Sequence, residues 1–435
     1  MKKTEDNMAN ERVRVLFCDH LNLARGKYLP GHPVSGGETR LCQGIYALTY
    51  DKDLLPAPGS KLLEGLPDMI VRFQGTDIRP GWLGKERVVV ADQFDSAGNR
   101  LPVCGRSLLR QTVDAWKQIG YHPKVGIELE AYAYTRDPEG RWQPYDTPGS
   151  FVYSTGPFSD PLGFTDTIWE KAGECGFDLE MVTSEFDSPQ FEFTLRYDDA
   201  LKAADDVFLF RLMAREVAME QGILLTFMPK PIAELSGSGV HVNFSLWDEQ
   251  GTNATGDPDA ADKLSALGRS CVAGLMHHHR GLAALLAPTV NSYARLQPAS
   301  LSGYWKNWGE DHRGVTTRIT SETGPHARIE HRMADGASNP YTMVAAILQA
   351  ARLGHRNGYD LLPAETADCL ENHDAEEGVP DDLGTALEVL EADRELVDAV
   401  GRELVGNLVV IKQDEIKKTA GFSDRQLRDY YIHYI

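Results

Sequence analysis

Cysteine is scarce and scattered. The six in 435 residues, Cys18, Cys42, Cys104, Cys175, Cys271 and Cys369, form no C-x-x-C pair. That spacing excludes a disulfide framework, offers no thiolate zinc site and points to a reducing compartment. Long hydrophobic runs are absent too. No window approaches the roughly 18 uninterrupted apolar residues that a membrane helix needs. The opening MKKTEDNMANERVRV turns acidic at Glu5 and Asp6 and lacks an apolar core, so it does not read as a secretory signal. The expected location is the cytoplasm. Basic residues are in deficit: 44 Lys and Arg against 64 Asp and Glu leave a net charge of −20. Phosphate backbones and anionic lipid surfaces repel such a chain, so neither nucleic acid nor membrane is an expected partner. There is no G-x-x-x-x-G-K-[ST] and no strand-linked G-x-G-x-x-G, which excludes the two commonest glycine-rich phosphate cradles. No solenoid-length repeat occurs either.

What is present suits a folded, soluble-type chain with 42% hydrophobic and 25% charged residues. Residues 13–19 (VRVLFCD) and 87–92 (RVVVAD) read as strands separated by Gly/Pro-rich turns such as LPGHPVSGG, giving a small β-rich domain over 10–104. After it, Ser107 is placed to cap a helix whose apolar residues Leu108, Leu109, Val113, Trp116 and Ile119 keep a 3.6-residue period up to Gly120. Further helices are expected at about 200–221, at 340–353 behind Asn339-Pro340, and at 383–405. Helices and strands alternate irregularly, so the fold class is α+β. The HHHR run at 277–280 falls in an expected helix, where adjacent side chains diverge, and reads as a solvated or interface run with no metal role.

Four strands carry chemistry. In KVGIELEAYAY, period-2 alternation puts Glu128 and Glu130 on one face, opposite Ile127, Leu129 and Ala131. In SEFDSPQFEFTL, Gln190, Glu192 and Thr194 share a face, with Glu185 just upstream. GSGVHVNFSL aligns His241, Asn243 and Ser245, and ARIEHRM aligns Arg328, Glu330 and Arg332. One such strand is ordinarily a wet sheet surface. Together they offer five glutamates, a histidine and several arginines, a set that suits hard cations flanked by cationic clamps.

In combination and in order, the motifs GIELEAY, EFDSPQFE, GSGVHVNFSLW, NSYARL and RIEHRMADGASNPY resemble those of the glutamine synthetase superfamily, from about residue 13 to the C-terminus. The resemblance implies a β-grasp-like N-terminal domain over 10–104. It implies a catalytic domain over 105–435, built on a curved antiparallel sheet flanked by helices. It further implies ATP as co-substrate and Mg²⁺ or Mn²⁺, two or three ions per site. By motif, Glu130, Glu185 and Glu192 hold the first ion, and Glu128, His241 and Glu330 the second. Gly237, Arg295 and Arg332 match contacts to L-glutamate. Arg313, Arg318 and Arg328 match the arginines around the phosphates, with Arg313 placed to act on the transferring group. Asp51 and Asp187 are the candidates for general base.

Departures from the ammonia-using members matter for the second substrate. Where those enzymes carry a P-G-Y-E-A-P flap, this chain has QPASLSGYW, with Leu301 at the glutamate position, and Asn243 stands where the family has a second histidine. Their adenylylation tyrosine motif is not recognisable after Pro363. The flap resembles that of the glutamate–amine ligase branch, and an apolar lining from Leu301, Tyr304 and Trp305 suits a small alkylamine, methylamine first. Ammonia, polyamines and other amines remain alternatives, as does a catalytically silent relative. The family's usual form, a ring doubled into a dodecamer of two hexamers, implies that Asp51 in LTYDKD completes a neighbouring subunit's site. The apolar, aromatic tail QLRDYYIHYI reads as a segment that packs on another subunit.

Overall fold

The computed structural model describes residues 12–31 and 35–435. Residues 1–11, which hold Glu5, Asp6 and the start of the domain expected from residue 10, and residues 32–34 of the LPGHPVSGG turn lie outside the described residues. Seven strands come first: β1 (Arg12–Cys18), β2 (Ala24–Pro30), β3 (Gly36–Cys42), β4 (Asp68–Gln74), β5 (Arg79–Pro80), β6 (Glu86–Val90) and β7 (Asp92–Phe94). They form a sheet in the order β2-β1-β6-β5 and a second in the order β3-β4-β7. Alternation along β1 splits its buried side chains between two cores. Val13, Val15 and Phe17 join Met69, Val71 and Phe73 in a small core, whereas Leu16 and Cys18 face the main one.

Nine strands build the large sheet: β8 (Tyr121–Arg136), β9 (Trp142–Pro144), β10 (Leu179–Ser184), β11 (Gln190–Asp199), β12 (Leu224–Thr226), β13 (Val240–Asp248), β14 (Trp308–Glu310), β15 (Thr317–Ile319) and β16 (Ile329–His331). Its main path is β10-β11-β8-β13-β16-β15-β14, antiparallel except for the β14–β15 pair. Ile127, Leu129, Ala131, Phe193, Val242 and Phe244 make its buried face. Phe193 packs on Phe210 of the long helix Ala200–Glu220 with ring centroids 5.7 Å apart. The opposite face carries the polar residues of the same strands.

Helices stack beneath the sheet. The pair Ala266–His277 and Pro340–Asn357 crosses so closely at Gly274 and Gly354 that a Cβ on either would lie within 2.2 Å of a backbone oxygen. Asn339 caps the second of these, its side chain accepting from the amides of Tyr341 and Thr342. No helix among the described residues is long and apolar enough to cross a membrane.

Three sequence expectations change. The helix expected from Ser107 begins at Gly105, because a residue without Cβ there lets the chain turn against Thr342 and Asn339. The segment expected as one helix over 383–405 is Leu383–Ala392, Arg394–Val400 and the start of Arg402–Thr419. Asp393 breaks the first junction by capping Leu396, and Gly401, at φ 102°, breaks the second. The tail packs within its own chain. Tyr431, Ile432 and Ile435 are buried, the Tyr431 hydroxyl donates to Glu415 at 2.6 Å, and Arg215 donates to the carbonyls of Tyr434 and His433.

Candidate active site

The register of the large sheet brings the motif residues together. Glu130 on β8 lies opposite Glu192 on β11, and Glu128 on β8 lies opposite His241 on β13. Asn243 pairs with Glu330 on β16, which in turn pairs with Arg318 on β15. One polar stripe therefore runs across five adjacent strands. It floors a cavity of about 810 Å³ that Glu128, Glu130, Glu185, Glu192 and His241 line together.

Two sets of groups on this floor converge tightly. Glu130, Glu185 and Glu192 each offer a carboxylate oxygen, all within 4.8 Å of one another, and Glu128, Glu192 and His241 do the same. Like charges so close are costly. Burial, then the fields of Glu128, Glu130 and Glu185, push Glu192 up to about 9, and burial and Glu130 raise Glu185. Glu128 behaves oppositely. Burial works against its charge, but a 3.0 Å bond from His241 Nδ1 and a 3.0 Å bond from Asn243 Nδ2 outweigh that and lower it to about 2. A divalent cation bound by carboxylate oxygens would relieve the crowding at Glu192, so the donor set fits a hard metal.

Glu330, expected beside Glu128 and His241, is buried and lies 3.8 Å from His241 Nδ1. It is also engaged by two arginines, Arg318 Nη1 at 2.8 Å and Arg332 Nη1. Arg332, Arg313, Arg318 and Arg328 all line the cavity. Arg295 does not. Its buried guanidinium donates to the carbonyls of Met333 (2.8 Å) and Arg332 (3.1 Å), and its side chain presses so closely on Gly237 and Gly239 that neither has room for a Cβ. Asp187 is likewise off the cavity wall, with Oδ2 accepting from the Ser236 amide at 2.6 Å. Asp51 lies against the last two helices, where its carboxylate accepts from the Tyr430 hydroxyl at 2.6 Å and pairs with Lys418 at 3.3 Å.

Leu301 lines the cavity in a left-handed conformation, φ 52°, and is 42% exposed. Tyr304 and Trp305, expected with it, turn away: Tyr304 covers Gly378, and the Trp305 ring stacks on His373 at 3.8 Å. The cavity's apolar lining instead includes Tyr153 and Phe186, 70% and 74% exposed. Neither stands out in the sequence, where the only signal is an aromatic side chain in a loop that carries Gly, Ser or Pro. Two strand residues to which the sequence assigns no contact tie the site together. Asn243 bridges Glu128 and Arg328, accepting from Arg328 Nε at 3.2 Å. Gln190 Nε2 ties Glu130 (3.3 Å) to the carbonyl of Gly237 (3.0 Å).

Residues 102–430 match the family model for the glutamine synthetase catalytic domain. The chain belongs to the glutamine synthetase family. It is accordingly an ATP-dependent carbon–nitrogen ligase of the glutamine synthetase type, in a family dependent on ATP and divalent metal. Among curated relatives, the glutamine synthetase of Halobacterium salinarum is 29% identical over 425 residues, covering 93% of this chain and 89% of that protein. A glutamate–isopropylamine ligase from a Pseudomonas species is 33% identical over 283 residues, covering 63% of this chain and 61% of that protein. A solved structure of GmaS in complex with ADP superposes with a TM-score of 0.82 at 26% identity and covers 99% of both chains.

Proposed function

We propose that this glutamine synthetase-family enzyme joins the γ-carboxylate of L-glutamate to a small alkylamine, methylamine before others, to give γ-glutamylmethylamide, ADP and phosphate. Leu301 carries the reading. An apolar side chain lines the cavity where a carboxylate would be needed to gather ammonium, and Tyr153 and Phe186 extend the apolar wall. The likeness to a glutamate–isopropylamine ligase and to GmaS supports it.

In the proposed sequence the glutamate γ-carboxylate oxygen attacks the γ-phosphorus of ATP, and the bond to the ADP oxygen breaks. The amine nitrogen then attacks the acyl carbon, phosphate leaves, and the nitrogen loses a proton. Glu130, Glu185 and Glu192 would hold one divalent cation, Mg²⁺ or Mn²⁺, and Glu128 and His241, with Glu330 behind them, a second. Such cations would neutralise the charge that develops as the phosphoryl group is transferred. Arg313, Arg318 and Arg328 line the wall on which the phosphates would lie, and preorganised guanidinium groups there stabilise the transferring group. Arg332 would take the glutamate carboxylate with bidentate geometry. Arg295 would act from behind the wall by fixing the Arg332 carbonyl and the Gly237–Gly239 turn. Asp187, which accepts from Ser236, and Asp51, held by Tyr430 and Lys418 and to be supplied by a neighbouring subunit, are the two candidates for the base.

The test is phosphate release from ATP with an amine panel. Release is expected only when L-glutamate and an amine are both present, with methylamine the best of ammonia, methylamine, ethylamine and putrescine. Phosphate release without amine, or ATP consumption driven by a guanidine, would end the ligase reading.

Assembly follows from Asp51. Asp51 does not line its own chain's cavity and is held by Tyr430 and Lys418, which supports a closed ring, doubled into a dodecamer, as the proposed form. Light scattering is expected to give a ring-sized particle at assay concentration, and a fully active monomer would remove this part.

A further inference from the structure

Away from the sheet cavity, the HHHR run adopts an arrangement opposite to the one expected of it. The helix Ala266–His277 ends on the first histidine, and a second helix, His279–Leu286, starts on the third. His278 sits at the junction with φ −94° and ψ 8°. The break turns two successive imidazoles toward each other, their centroids 4.8 Å apart at 74°. His278 is only 1% exposed, and its Nδ1 bonds to Asp393 Oδ2 at 2.7 Å. Asp393 is itself anchored, since its other oxygen caps the helix Arg394–Val400 through Leu396. It also approaches so closely at Gly281 that a Cβ there would meet the carboxylate at 2.6 Å.

A carboxylate that accepts a hydrogen bond from the Nδ1–H of a histidine fixes the tautomer and leaves Nε2 with a free lone pair, the arrangement found behind metal-binding imidazoles. In His278 that nitrogen faces the Tyr359 hydroxyl at 3.4 Å, too long for a good O–H···N bond. The Tyr359 hydroxyl instead donates to Glu395 Oε2 at 2.5 Å, and the Tyr359 ring stacks on His277 at 3.8 Å and 5°. Glu395 also receives Asn357 Nδ2 at 3.1 Å and lies 3.9 Å from Arg356 in an exposed pair. One ligand atom from each of His277, His278 and Glu395 falls within 4.8 Å of the others.

We propose that His277, His278 and Glu395 form a transition-metal site of the Zn²⁺ class, with Asp393 as the carboxylate that orients His278. Two imidazole nitrogens and one carboxylate oxygen suit Zn²⁺, Ni²⁺ or Cu²⁺, whereas Mg²⁺ prefers an all-oxygen shell. With His277 and Glu395 exposed, a fourth position is open to water. A bound ion would clamp the junction of two helices to the head of a third. None of these residues lines the sheet cavity, so the proposal stands or falls independently of the amine-ligase reading.

The test uses the metal-stripped full-length enzyme with Zn²⁺ alone as probe, in excess Mg²⁺ to occupy the carboxylate cavity. Equilibrium dialysis is expected to show one Zn²⁺ per chain more in the wild type than in His277→Ala/Glu395→Gln. Zn²⁺ is also expected to raise the thermal midpoint of the wild type and not of the variant, with Mg²⁺-dependent turnover equal in both. Equal Zn²⁺ stoichiometry in the two proteins, or an equal rise in midpoint, would overturn the site. Should the double variant fold poorly, Glu395→Gln alone keeps the comparison.

Discussion

Glu192→Gln is expected to abolish phosphate release while making the metal-free protein more stable. Loss of activity follows if the Glu130, Glu185 and Glu192 cluster holds a divalent cation. Charge neutralisation by such an ion is worth several kcal/mol in a phosphoryl-transfer transition state. At about 1.4 kcal/mol per factor of ten, its loss lowers kcat by at least about a hundredfold. The gain in stability comes from the same crowding. Burial and the surrounding carboxylates raise Glu192 to about 9, against about 4.3 for an unperturbed glutamate. Between those two values the folded chain keeps a proton that the unfolded chain has released. The folded state then binds more protons, so stability falls as pH rises through that window. In EDTA the wild type should therefore lose thermal stability from about pH 5 toward pH 9, and the variant should lose less. Adding Mg²⁺ should restore the wild type more than the variant. Thermal melts across pH with and without Mg²⁺ read the stability half, and wild-type kcat in saturating Mg²⁺ would refute the catalytic half.

Methylamine should be used with a kcat/KM above that of ammonia by roughly ten- to two-hundredfold, the range open to a methyl-sized apolar contact worth about 1–3 kcal/mol. Leu301 stands on the cavity wall with Tyr153 and Phe186, and an apolar wall gains from covering a methyl group but gives ammonium no partner. Leu301→Glu should narrow the ratio by raising kcat/KM for ammonia and lowering it for methylamine. The left-handed backbone at this residue is strained for leucine and glutamate alike, so the swap changes chemistry more than conformation. Steady-state kinetics with both amines at matched pH decide the matter, and a wild-type preference for ammonia or putrescine would discard this account of the flap.

Residues whose roles follow from local rules were legible in the chain. A period-2 strand must place Glu128 and Glu130 on one face and Ile127 and Leu129 on the other, and β8 does so. Asn339-Pro340 had to begin a helix, because proline fits its first turn and asparagine caps it. The three carboxylates grouped by motif, Glu130, Glu185 and Glu192, are also grouped in space. Where local rules competed with packing they failed. Ser107 was a good cap by type, yet the close approach at Gly105 starts the helix earlier. Adjacent histidines diverge on a continuous helix, but the chain breaks at His278 and they converge.

The sequence by itself determined which side of each strand bears carboxylates, the order of the motifs and the absence of a glycine-rich phosphate loop. Those properties depend on alternation and residue type within one segment. Only the folded chain decided that Glu128 is held by His241 and Asn243 and that Arg295 serves backbone carbonyls behind the wall. It also turned Tyr304 and Trp305 away from the cavity and tucked the tail against Glu415 and Arg215. These contacts join residues from 16 to 219 positions apart. Their meeting depends on inter-strand register and on how helices close over the sheet, and a single-residue slip in that register would turn every polar side chain of a strand to the opposite face.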